Sequence, residues 1–178
     1  MISIDNFNSG LRRRIYDNNN TPIHDYSESQ RDVRLIIGTF TIYAGILLNT
    51  FSLVAFPDAN PTLNSARLRY DGATYVPNSP PDTTQFLVDA SAEAKVIVDI
   101  SLLRGLGANS ELKVTLYDAV GSSFATQSIP ATTGIVEFLL SNFAIDLSDI
   151  RAIELEATIE AIEPVTAEVR INDFRFDS

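Results

Sequence analysis

The chain has 178 residues, with 13 basic against 23 acidic side chains, a net charge of −10, and no cysteine. That balance excludes nucleic acid as a partner, because polyanion binding needs a basic face. The missing thiols exclude disulfides, zinc–thiolate sites and cysteine nucleophiles. With 45% hydrophobic residues the chain has enough apolar material for one packed domain over 1–178.

The opening MISIDNFNSG places Ile2 and Ile4 in alternation and then Phe7 out of phase. It lacks the basic-then-apolar order of a secretory signal. LRRR follows, with Arg12, Arg13 and Arg14 as the one basic run, inside a polar stretch over about 11–32 that reads as a mobile loop or an arm. The lone histidine, His24, lies in that stretch. From Leu35 to Pro57 no residue is charged, and Arg31 and Arg34 precede the segment. The length suits a membrane span. Its β-branched and aromatic residues, with Asn49 and two glycines, instead favour buried strands.

ARLRYDGATYV (66–76) reads as a hairpin turning at Asp71-Gly72, since Gly supplies positive φ without a Cβ clash. KVIVDIS (95–101), ELKVTLYD (111–118), FATQSI (124–129) and GIVEFLL (134–140) read as further strands, parted by the turn signals RGLGANS, AVGSS and IPATTG. LSDIRAI (147–153) has room for one helical turn. In AIELEATIE (152–160), Ile153, Leu155, Ala157 and Ile159 alternate with Glu154, Glu156, Thr158 and Glu160, which predicts a half-buried strand with its acidic face in water. In all, about ten strands with turns at this spacing predict an all-β, jelly-roll-like antiparallel β-sandwich.

The last strand, VRINDFRF, echoes the first. Ile4-Asp5-Asn6-Phe7 and Ile171-Asn172-Asp173-Phe174 both lose alternating phase at a polar pair. An extra residue in a strand does this, so a β-bulge is expected at each end, with the two end strands as neighbours and their polar groups meeting at one rim. Asp5, Asn6, Asn172 and Asp173 there either cap the bulges or gather oxygen ligands for calcium.

The residues Asp5, Phe7 and Gly10 of IDNF-x-x-G, Asp146, Leu147 and Asp149 of DLSDI, and Asn172, Asp173 and Phe174 at the close carry a likeness. In this pattern the chain resembles jelly-roll modules of the galactose-binding-like kind. The resemblance implies a sandwich fold, export to the cell exterior or surface, and carbohydrate binding.

Catalysis has little to draw on. His24 has no Gly-x-Ser-x-Gly elbow to serve, and Gly105-x-Gly107 precedes a strand, not the helix a phosphate loop needs, so RGLGANS reads as a hairpin turn. No catalytic residue is assigned and the chain is not expected to be an enzyme. Two functions remain. In the first, Arg12, Arg13 and Arg14 of one copy meet Glu154, Glu156 and Glu160 of another, and the protein self-associates into a layer or filament, because unlike head and tail surfaces do not close on themselves. In the second, Tyr70, Tyr75, Arg67 and Arg69 form a rim that binds a glycan, with calcium as an accessory. Cross-strand pairs on a solvent face give the same pattern.

Overall fold

The computed structural model describes residues 1–7, 15–17, 24–28, 31–37, 42–47, 50–55, 62–72, 80–162 and 164–178; over 15–47, and at Thr62, the backbone alone is described. These form thirteen strands, most of them on alternating apolar residues: β1 (Ile2–Asp5), β2 (Ile15–Asp17), β3 (His24–Glu28), β4 (Arg31–Ile37), β5 (Ile42–Leu47), β6 (Thr50–Ala55), β7 (Thr62–Tyr70), β8 (Lys95–Arg104), β9 (Glu111–Tyr117), β10 (Ser122–Ser128), β11 (Gly134–Leu139), β12 (Ala152–Ala161) and β13 (Ala167–Asp177). Sheet A runs β11-β8-β13-β6-β5-β2, with β1 also on β13, and sheet B runs β10-β9-β12-β7-β4-β3. Every pairing is antiparallel.

The two sheets enclose one core. Phe51 and Leu53 of β6, Val96 and Val98 of β8, and Phe174 and Phe176 of β13 meet Leu68 of β7, Val114 of β9 and Leu155 of β12 from the other side. The chain passes repeatedly between sheets, as in a jelly roll, and the all-β sandwich expected from the sequence is the fold observed. The strand count exceeds the expectation because β2 and β3 form within the polar stretch, and the apolar stretch that follows divides between sheets: β4 joins sheet B while β5 and β6 join sheet A. No helix among the described residues is long and apolar enough to cross a membrane.

Four local expectations need correction. The polar stretch read as a loop or arm holds β2 and β3, paired with β5 and β4. Both lie at sheet edges, where polar residues are favoured and alternation fades as a signal. Asp71-Gly72 does not turn β7 back on itself, for β7 is flanked by β12 and β4; residues 73–79, where the hairpin's second strand was expected, lie outside the described residues. RGLGANS is likewise no hairpin turn. It carries the chain from β8 in sheet A to β9 in sheet B. The helical turn sits at Leu140–Asn142 instead of within 147–153, where Ile150 bridges to Val88 and β12 begins at Ala152.

The echoing ends are neighbours as expected. β1 lies along the C-terminal half of β13, continuing the line of β6, which takes the N-terminal half. Register shifts fall between Ser3 and Asp5 in β1 and between Ile171 and Asp173 in β13.

Candidate functional site

The outer face of sheet B is built by period-two geometry. Ala66, Leu68 and Tyr70 of β7 point into the core, so Ser65, Arg67 and Arg69 point out. In β12 the outward set is Glu154, Glu156, Thr158 and Glu160. In β9 it is Glu111, Lys113, Thr115 and Tyr117. Register places Glu154 between Arg69 and Thr115, and Glu156 between Arg67 and Lys113. Strand β12 is central in the sheet, so its carboxylates are flanked by residues of β7 on one side and β9 on the other.

The result is a locked polar ladder. Arg69 Nε donates to Glu154 Oε1 at 2.8 Å, and the Tyr117 hydroxyl donates to Glu154 Oε2 at 2.7 Å. Arg67 donates twice to Glu156 Oε2, from Nη2 at 2.6 Å and Nε at 3.0 Å, and its Nη1 stands 3.5 Å from Glu154 Oε1. The Ser65 hydroxyl donates to Glu156 Oε1 at 2.9 Å and accepts from Thr158 at 3.1 Å. Burial, the Glu154 carboxylate and its hydrogen bond push the Tyr117 hydroxyl well above the usual tyrosine range, so it stays protonated and donating. Burial pulls the Arg67 guanidinium down, but Glu154 and Glu156 outweigh it and hold it above its ordinary value.

An aromatic ring and a cleft flank this ladder. Phe124 of β10 pairs with Thr115 and projects from the same face, 61% exposed, with Lys113 Nζ 4.5 Å from its ring centroid. Toward the other end of the strands lies a cleft of about 360 Å³ lined by Leu63, Asn109, Ser110, Glu111, Ser128 and Thr158.

The hairpin that presents Phe124 is pinned by Asp118. The main-chain N–H of Asp146 donates to Asp118 Oδ2, and those of Val120 and Gly121 donate to Oδ1, holding the carboxyl below its usual range. A carboxyl so depressed adds stability above its unfolded value, near pH 3.9, and that stability fades as pH falls through the folded value. Wild type is therefore expected to be more stable than Asp118→Asn at neutral pH, with the gap closing below about pH 4. Urea unfolding from pH 2 to 7 checks this; a gap that persists at pH 2 contradicts it.

The residues singled out in the sequence fall as follows. Arg67 and Arg69 are on the outer face, as the glycan reading requires. Tyr70 is not: it is 2% exposed, because period two puts it opposite Arg69, and its ring lies 5.9 Å from that of Phe174. Tyr75 and Arg12, Arg13 and Arg14 lie outside the described residues. Glu154, Glu156 and Glu160 do not form an acidic face in water. Glu154 is 3% exposed, Glu160 is also buried, and each of the three holds a hydrogen-bonding partner within its own chain.

The four residues of the calcium reading part ways. Asp5 turns inward, accepting from the Phe7 N–H at 2.7 Å and the Tyr70 hydroxyl at 2.9 Å, while Asn6 is exposed. On the outer side of sheet A, Asn172 donates to Asp99 and Asp173 pairs with Arg175. No group of three or more His, Cys, Asp or Glu side chains suited to a metal occurs among the described residues. Sequence reading passed over Lys113, Thr115, Tyr117, Phe124 and Asn109. The alternation of ELKVTLYD was itself the available signal for the first three.

Among the described residues these features define an open, polar-lined face on an all-β, jelly-roll-like sandwich, with an exposed ring and a cleft. No protein-family model matches the sequence, and no curated protein does. Among solved structures, the chain is similar to a family 11 carbohydrate-binding module of the cellulosomal cellulase Lic26A-Cel5E of Clostridium thermocellum, at 12% identity and TM-score 0.44, over 99% of this chain and 93% of that one. It is also similar to an exo-β-agarase, at 13% identity and TM-score 0.45, where 99% of this chain spans 25% of the enzyme. A third is the module CBM28, described as specific for non-crystalline cellulose, at 10% identity and TM-score 0.37 over 79% of this chain and 82% of that one.

Proposed function

We propose that this chain is a non-catalytic glycan-binding module that acts outside the cell, and that the outer face of sheet B takes the sugar. The observation that carries the reading is Phe124, exposed beside a ladder of polar groups whose positions are already fixed. A pyranose offers an apolar face and a ring of hydroxyls. Binding it takes an aromatic surface to stack on, together with donors and acceptors that lose little freedom on contact. Buried ion pairs are poor stabilisers compared with apolar pairs of the same size, so a ladder of them at the centre of a face suits recognition better than stability. Each ladder carboxylate accepts from an arginine, which fixes where its oxygens stand. The self-association reading needed Glu154, Glu156 and Glu160 free to meet Arg12, Arg13 and Arg14 of another copy, and their partners within the chain give that reading less support.

The test is affinity electrophoresis and calorimetry against hydroxyethylcellulose, mixed-linkage β-glucan, xylan and agarose, with a sulfated polymer as control. The panel includes cellulose and agar polymers because similar structures are named for them. Wild type is expected to bind at least one neutral polymer. Phe124→Ala should weaken that binding about tenfold, near 1.4 kcal/mol, while Ile135→Ala, on exposed β11 of sheet A, should leave it unchanged. Equal losses from both variants, or no binding to any polymer, would refute the proposal.

A further inference from the structure

The turn over 107–110 forms one side of the cleft, and both the main chain and the side chain of Glu160 in β12 hold it. Glu160 accepts from the Asn109 main-chain N–H at 3.1 Å and from Asn109 Nδ2 at 2.8 Å. Its own main-chain N–H donates to the Ser110 hydroxyl at 3.0 Å, and its carbonyl accepts from the Gly107 N–H at 2.9 Å. Of this turn, Ala108, Asn109 and Ser110 line the cleft. The carboxylate lies in the space that a side chain at 107 would fill. A methyl group there would stand 2.7 Å from Glu160 Cδ and overlap Oε2. Gly107 is therefore required for room. Gly105, two residues earlier, serves a different need: it has φ +58° and passes close to the Thr166 carbonyl.

We infer that Glu160 is a positioning residue which latches the 107–110 turn as the wall of the glycan cleft, and that Gly107 lacks a side chain so that the latch can close. This inference rests on the glycan reading for its ligand, but the latch itself can be read without one. Glu160 touches no ligand in this scheme. It sets where Asn109 and Ser110 stand, and an aspartate is too short to reach both donors of Asn109.

A double-variant cycle isolates the latch from general damage to the fold. Wild type, Gly107→Ala, Glu160→Ala and the double variant are compared by amide exchange at Asn109 and Ser110, and by affinity for hydroxyethylcellulose and agaro-oligosaccharides. Glu160→Gln, which keeps the size and one acceptor, serves if Glu160→Ala does not fold. Each single change is expected to speed exchange at Asn109 about tenfold and to weaken binding of whichever probe wild type takes about fivefold. The double variant should match Glu160→Ala alone, since the methyl at 107 has nothing left to displace. Additive losses, or unchanged exchange at Asn109 in Glu160→Ala and Glu160→Gln, would overturn the latch. Faster exchange with undiminished binding would overturn its role in the cleft. If neither probe binds wild type, the glycan reading fails, and the exchange cycle still decides whether the latch exists.

Discussion

Glu154→Ala is expected to lower the stability of the fold by about 3–5 kcal/mol, a fall in Tm of about 10 °C or more for a chain of this length. The cost comes from what stays behind more than from what is removed. Arg69, 7% exposed, would keep its charge beside a hole, and the Tyr117 hydroxyl would lose its acceptor. Replacing both sides of a buried pair by apolar groups is far milder than removing one. The double variant Arg69→Leu/Glu154→Leu should accordingly recover most of the lost Tm. It should not recover glycan binding, because the ladder would no longer fix Tyr117 and Arg67. Calorimetric melts of the three proteins, each paired with the polysaccharide panel, check both halves. If the double variant melts as low as Glu154→Ala, burial of charge is not what makes Glu154 costly to lose. If it binds as well as wild type, the ladder is not part of the site.

Half of this ladder was legible in the sequence, but in separate pieces. Alternation in AIELEATIE sets Glu154 and Glu156 on one side of a strand, and alternation in ARLRYD does the same for Arg67 and Arg69. What the sequence lacks is register. Period two says which face a residue takes but not which strand lies beside it, and β7 and β12 are about 85 residues apart in the chain. Arginine and glutamate were therefore assigned to different functions, although they are partners. Burial was misread for the same reason. A glutamate on an outer face is solvated at a sheet edge, yet at the centre of sheet B the neighbouring Arg69 and Tyr117 close over it.

The echo between the ends was read further. Loss of phase at Asn172 marks a real register shift, and the two end strands pair, because a bulge breaks alternation visibly within a single strand. Direction was the missing part. Asp5 was expected at a rim with Asp173, but the shift between Ser3 and Asp5 turns its carboxylate into the core. No local pattern reveals that, since the donor it needed, the Tyr70 hydroxyl, comes from the opposite sheet.

That buried contact is where the second large effect is expected. Asp5 bridges the sandwich: β1 belongs to sheet A and Tyr70 to β7 of sheet B. Its other oxygen accepts from the N–H of Phe7, which holds φ at 55° with its ring buried 6.5 Å from that of Phe51. A bulky residue seldom adopts that conformation, and here the core and the Asp5 carboxylate together impose it. Asp5→Ala would take away the carboxylate that accepts from the buried Tyr70 hydroxyl and from the Phe7 N–H, at an expected cost of about 3 kcal/mol. Asp5→Asn keeps an acceptor for Phe7 and can donate to the tyrosine oxygen, so it should cost about 1 kcal/mol or less. In a cycle with Tyr70→Phe, the part of the Asp5→Ala loss due to the hydroxyl should vanish, leaving the part due to Phe7. Chemical denaturation of the four proteins measures each share. Were Asp5→Ala as stable as wild type, the echoing ends would be a chance likeness, and the inward turn of Asp5 would have no bearing on how the two sheets are joined.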